Sequence, residues 1–443
     1  MLPAKGLTML RGVRRITLAA TAVLLLALAG PPATAHDPDT PEGRAEQTEM
    51  LRIYEPAWRS GTPLVAAAPV TCVNGKAGTY PCKNVDLLSF LPQSSLGGGG
   101  SSSMWYWTDT RDSNEYILYC RSNGVSFVNV TDPSNPRYLG NLPSSNGVSS
   151  SWCDVRTYKN YAYIGKDSVS HGIQIFNLNK LQGVTTTQTF TADARFTGLT
   201  NSHTLQINQA TGFLYVSGAN TCSKGLTIYD IKTPLTLTLA ACYSREVYSH
   251  ESIVVNYAGP DTRYTGREIA FNYTGQGKRF QILDVTNKSN IVVLSSVTHP
   301  GASFIHQGFA TSDYKHMIVN DETISTASGS PDFVYNIEKL DAARYVGRDN
   351  GTRGTFVNHN GYTVGNRHFQ AAYRGGLRIL DTTNAASASL PEVGYFDVDP
   401  SSNASGYSGS WMALPYLKNG VVAVQSIGVG LFLVRPTGAA AVS

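Results

Sequence analysis

One strand pattern occurs seven times in this chain, and that repetition constrains the fold more than any other feature. It reads GVSFVN (124–129), GIQIFN (172–177), GLTIYD (225–230), RFQILD (279–284), PDFVYN (331–336), GLRILD (376–381) and GLFLVR (430–435). Successive starts lie 45 to 54 residues apart, enough for four short strands and their turns. Small or polar residues alternate with large apolar ones, which fits strands packed between neighbouring sheets. Another strand precedes each copy: EYILYC, YAYIG, FLYVSG, EIAFNY, HMIVN, HFQAAY and VVAVQS. Repeats of this length and content predict an all-β fold, a single seven-bladed β-propeller of four-stranded blades. Closure of the ring is also legible. LLSFLPQSS (87–95) resembles YLGNLPSSN (138–146), the fourth strand of the first repeat, and no such strand is read after GLFLVR. Residues 83–96 are therefore expected to supply the outer strand of the last blade and to cover its open edge.

The first 35 residues read as a secretory signal peptide. Lys5, Arg11, Arg14 and Arg15 precede an apolar run from Ile16 to Gly30, too short to span a bilayer, and Ala33-Thr34-Ala35 is a small-x-small cleavage site. A secreted, extracellular location follows as the expectation. Residues 36–70 form a polar, proline-punctuated arm, read either as a short helix or as extended chain. Residues 71–436 are assigned to the propeller and 437–443 to a C-terminal tail. The formal charge of +4 resides in the leader, which holds four basic and no acidic residues, so the remainder is formally neutral. Nothing there argues for nucleic acid or an anionic membrane surface. No second apolar span follows the leader. The expected product is a monomer whose partner is an extracellular small molecule, polysaccharide or protein.

Six cysteines in an exported chain suggest three disulfides. Cys72 and Cys82 bracket a glycine-rich loop. Cys222 and Cys242 flank two strands whose antiparallel pairing brings their ends together. Cys120 and Cys153 remain for each other, with a free thiol or a metal-ligand role for Cys153 as the alternative.

When the first strands of the repeats are aligned, one column reads Trp107, Cys153, His203, His250, His306, His359 and Trp411. Four of the nine histidines thus share one position in four consecutive repeats. First strands line a propeller's central channel, so these imidazoles should converge near one mouth. Convergent neutral imidazoles suit Zn, Cu, Ni or Fe. The competing reading is a ring of polar residues bonded to one another and to trapped water. Trp107 and Trp411 are read as ligand-lining platforms or as channel plugs. Turns after the second strands should reach the same mouth, which adds Asp167, Asp321, Glu322 and Arg374; Asp321 and Glu322 are the candidates for proton transfer. His171, His299, His316 and His368 fall outside the column and are read as surface or packing residues. His36, at the expected mature N-terminus, is a weak copper site or simply a terminus. No G-x-S-x-G, H-E-x-x-H, P-loop, dinucleotide or EF-hand motif is present.

CVNGKAGTYPCKNVDLLSFLP, HGIQIFNL, GPDTRYTGREIAFN, YRGGLRILD and the GLFLV ending resemble the choice-of-anchor B family, built from LVIVD-type repeats. The resemblance runs from about residue 40 to 435. It implies an exported bacterial propeller at the surface or outside the cell, and brings no activity with it. Three functions remain open. The first is a secreted binding protein with a histidine-lined metal or small-ligand site. The second is a metal-dependent hydrolase or lyase acting on an extracellular polymer, and the third a structural or adhesive propeller without a metal.

Overall fold

Each copy of the repeated pattern forms the third strand of an antiparallel four-stranded blade. The computed structural model describes residues 68–442, apart from 246–247, 325–330, 352–353 and 402–403. The expected signal peptide, His36 and nearly all of the expected arm lie outside the described residues. Blade 1 comprises Ser101–Thr108, Glu115–Arg121, Gly124–Asn129 and Arg137–Pro143. Blade 2 follows with Cys153–Tyr158, Tyr161–Lys166, Ile173–Asn177 and Ala194–Phe196. Blades 3 to 6 begin at Thr204, Glu251, Ile305 and Gly361 and keep the same order of strands. Blade 7 is built from Gly409–Leu414, Val422–Ile427 and Gly430–Pro436, with Val85–Pro92 as its outer strand. Each first strand touches the first strand of the next blade, and that of blade 7 touches that of blade 1. The chain is an all-β, seven-bladed propeller.

The repeat's chemistry explains its geometry. The Asp or Asn that ends each third strand accepts a hydrogen bond from the backbone N–H two residues on, tightening the hairpin to the outer strand. Asn129 does this for Thr131 at 3.1 Å, Asp230 for Lys232 at 2.9 Å and Asp381 for Thr383 at 2.8 Å. The seventh copy has Arg435 instead, and its outer strand arrives from the other end of the chain. Gly430, which opens that copy, has φ +146°, and a Cβ there would lie 2.1 Å from the Leu91 carbonyl oxygen. Only glycine lets the third strand approach the closing strand this closely. A register shift between Leu87 and Ser89 matches the bulge at the same place in blades 3 to 6. The closing strand therefore takes the twist of an ordinary outer strand.

The N-terminal segment also braces blade 6. Tyr80–Lys83 pairs with Glu392–Phe396, and Lys76–Ala77 adds a further strand. Tyr80, Phe90, Phe396 and Phe432 then pack between blades 6 and 7, with the Phe90 and Phe432 rings stacked at 4.3 Å. Residues 437–443, expected as a tail, include a 3-10 turn at Gly438–Ala440 whose Ala440 is fully buried against blade 6. Its small side chains allow that close docking. Disulfides join Cys72 to Cys82, Cys120 to Cys153 and Cys222 to Cys242. Cys153 is thereby spent, which removes its alternative as a thiol or ligand. Among the described residues no helix is long and apolar enough to cross a membrane.

Because Phe90 is buried only through ring closure, Phe90→Ala is expected to cost about 3–5 kcal/mol. Urea unfolding of the variant beside the parent checks this. A loss under about 1 kcal/mol would show that the closing strand adds little.

Candidate functional site

The arc of histidines arises because the starts of the first strands share one end of the channel. Ring centroids lie 4.4 Å apart for His203 and His250, 4.5 Å for His250 and His306, and 4.2 Å for His306 and His359. All four are buried, with 6% exposure at most. Trp411 continues the arc 4.6 Å beyond His359, and Phe304 meets His250 edge-on at 4.9 Å.

Glu322, fully buried, enters this arc from the turn after the second strand of blade 5. Its Oε2 lies 3.6 Å from Nε2 of His306, and its Oε1 lies 3.5 Å from Nε2 of His359. Tyr373 donates its hydroxyl to Oε1 at 2.5 Å. His359 is oriented from behind: Nδ1 lies 2.7 Å from the Trp411 carbonyl oxygen, which can only accept, so Nδ1 carries the proton and Nε2 a lone pair. Asp167 does the same for His203, with its Oδ2 2.9 Å from Nδ1. Carboxylate or carbonyl groups behind an imidazole fix the tautomer that a metal needs. His250, His306 and Glu322 each offer an atom within 4.8 Å of the other two. Separations of 3.5–3.6 Å are too long for good hydrogen bonds. They are close to the edge of a tetrahedron with 2.0–2.1 Å bonds, about 3.4 Å.

Below the histidines the channel is closed by a charged floor. Asp154 accepts from Ser103 Oγ at 2.6 Å, from Arg156 Nη1 at 2.6 Å and from the backbone N–H of Leu205 at 2.8 Å. Burial pushes the Glu251 carboxyl up to about 8; Arg156 opposes the rise, and Asp154 and Glu322 add to it. Glu251 therefore retains its proton at neutral pH. The cavity above this floor is lined by His203, His306, His359, Asp154, Arg156 and Glu251, but not by His250 or Glu322; its volume is about 20 Å³, where one water needs about 10–15 Å³. That is room for one or two water-sized species in all.

Several expected residues lie elsewhere. Trp107 is not in the column. The first strand of blade 1 is longer and shifts register between Ser101 and Met104, so Ser103 lines the chamber while Trp107 sits near the far end of that strand. There its Nε1 donates to the Lys159 carbonyl. Asp321 precedes Glu322 but turns away, accepting from the N–H groups of Ser303 and Phe304 at 2.7 and 2.9 Å. It shapes the turn rather than facing the chamber. Arg374 bonds Ser408 Oγ at 2.9 Å in the loop before blade 7, and its neighbour Tyr373 is the one that reaches Glu322 and His359. Tyr373, Asp154 and Glu251 are site residues that the repeat alignment does not single out. Tyr373 occupies the turn corresponding to Glu322, and the two acids follow column positions directly; that adjacency was the available signal.

Among the described residues, the four histidines outside the column are all buried. His299 stacks on Phe333 at 3.6 Å and His368 lies 3.0 Å from Thr363 Oγ1. His171 donates from Nδ1 to the Gly172 carbonyl at 3.0 Å, and burial lowers its pKa to about 4.

No family model matches the chain, and no curated protein matches it. Solved structures do. The chain is similar to the crystal structure of RRP9 WD40 repeats, with a TM-score of 0.53 at 11% identity over 84% of this chain and 100% of that one. It is also similar to the structure of U3-55K, with a TM-score of 0.51 at 12% identity over 77% of this chain and 97% of that one. At these identities the likeness is one of fold alone.

The His171 shift has a consequence for acid stability. The unfolded chain binds this proton near pH 6.5 and the folded chain only near 4, so stability falls as pH drops through that window. The slope for one proton is at most about 1.4 kcal/mol per pH unit. His171→Asn keeps a donor toward Gly172 and is expected to remove that part of the slope in urea unfolding between pH 7 and 4. An unchanged slope would show that His171 titrates normally.

Proposed function

We propose that this protein is a secreted β-propeller binding protein that holds one transition-metal ion, Zn, Cu, Ni or Fe, at the histidine-lined mouth of its channel. His250, His306 and Glu322 are the ligands. His359 stands beside the same carboxylate, and His203, braced by Asp167, flanks His250. The observation that carries the reading is the buried grouping of His250, His306 and Glu322, each offering an atom within 4.8 Å of the other two, with Glu322 Oε2 3.6 Å from His306 Nε2. Burying a carboxylate among imidazoles is costly unless a cation or proton neutralises it. Secretion is supported by the leader pattern and by three disulfides, which persist in oxidising compartments. The resemblance to the choice-of-anchor B family supports the same location. The cavity beside His306 is small, about 20 Å³, which favours a small ion over a polymer whose backbone would not fit there.

Elemental analysis of the purified protein, with thermal unfolding before and after chelation, tests the proposal. One equivalent of metal is expected, and its removal should destabilise the protein by about 3 kcal/mol when free metal is near a hundred times its dissociation constant. Glu322→Gln keeps the size and the Tyr373 bond but removes the charge, and should weaken binding about tenfold or more. His250→Ala with His306→Ala should abolish it. Metal absent after reconstitution, or retained in that double variant, would refute the assignment.

A further inference from the structure

The other mouth of the channel holds a second cavity with different chemistry. It lies across the far ends of the first strands of blades 1, 2 and 3, and has a volume of about 380 Å³. That falls within the range of small-ligand pockets, roughly 300–1,000 Å³. Trp105, half-buried, forms part of its wall, with Arg156 and Lys159 from blade 2 and Asn160, Gln206 and Gln209 around them. Two of these side chains are cationic, and the lining contains no carboxylate.

Arg156 is the informative residue. It is only 3% exposed, and its guanidinium lies 4.3 Å from the centroid of the Trp105 ring. Nη1 is used by Asp154 and by the Val155 carbonyl, whereas the buried Nε has no hydrogen-bond partner. Leaving a buried guanidinium donor unmet is costly, and the fold keeps it in a residue that lines a cavity. Asn160 and Gln206 add side-chain amides with no intramolecular hydrogen bond among the described residues. Amides offer a donor and an acceptor side by side, which matches vicinal hydroxyls. An arginine fork matches a carboxylate.

We propose that this mouth is a second ligand site, and that it takes an acidic saccharide, a sugar ring bearing a carboxylate. The carboxylate meets Arg156 and Lys159, the hydroxyls meet Asn160 and Gln206, and an apolar ring face lies toward Trp105. The site is at the opposite end of the channel from the histidines and does not depend on the metal. A neutral sugar would leave the Arg156 Nε unanswered and Lys159 with only the Tyr158 ring, 4.9 Å from its Nζ, and a bare inorganic anion would leave the amides unused.

Calorimetric titration with short oligomers of galacturonate, glucuronate and alginate, each beside its carboxyl-reduced neutral counterpart, tests this directly. At least one acidic series is expected to bind, and its neutral counterpart about tenfold or more weakly. Lys159→Ala and Gln206→Ala alter the rim of the cavity rather than the core, so they should leave the melting temperature unchanged while weakening binding about tenfold. His250→Ala with His306→Ala should bind the saccharide like the parent, which separates this site from the metal. Binding to none of the three acidic series would overturn the proposal. So would equal binding of the neutral counterparts, or wild-type affinity in both Lys159→Ala and Gln206→Ala.

Discussion

Closing seven sheets into one ring forces their first strands to share a single axis, and everything specific to this molecule depends on that convergence. Residues 47 to 56 positions apart in the chain arrive with ring centroids about 4.2–4.5 Å apart. No local element could bring four imidazoles together at such separations in sequence. The ring is held by the pairing of Val85–Pro92 with Gly430–Pro436, so the chamber and the N-terminal strand are energetically linked. Weakening the seam at Phe90 and Phe432 loosens the seventh blade, and with it Trp411, whose carbonyl orients His359.

Inside the chamber, charge is organised in two layers. The upper layer holds the imidazoles and Glu322, with Tyr373, Asp167 and backbone carbonyls fixing their orientation. The lower layer sets Arg156 against Asp154 and keeps Glu251 protonated through burial. Arg156 belongs to both ends of the channel, since it also lines the cavity at the opposite mouth. Arg156, paired with Asp154, thus stands between two chemically different surfaces on one frame, one lined by imidazoles and the other by cationic and amide side chains.

The fold was legible because period, length and turn chemistry all pointed the same way. The terminal Asp or Asn of the third strand in blades 1 to 6 is both a sequence signal and a hydrogen-bonding device. Less of the site could be read. The histidines were visible because equivalent strands repeat them, but alignment by repeat assumes equal registers. Blade 1 breaks that assumption through the extra length of Ser101–Thr108, so the alignment puts Trp107 at the histidine mouth where Ser103 is the lining residue. Successive residues at a strand end face opposite ways, which separates Asp321 from Glu322 and Arg374 from Tyr373. Sequence alone does not say which of two neighbours turns inward.

Anomalous diffraction at the absorption edge of the metal found in the purified protein would test the central claim most directly. A single strong peak is expected about 2.0–2.2 Å from ring nitrogens of His250 and His306 and from a Glu322 oxygen. A chamber that shows only water, or a peak bound elsewhere on the surface, would contradict it.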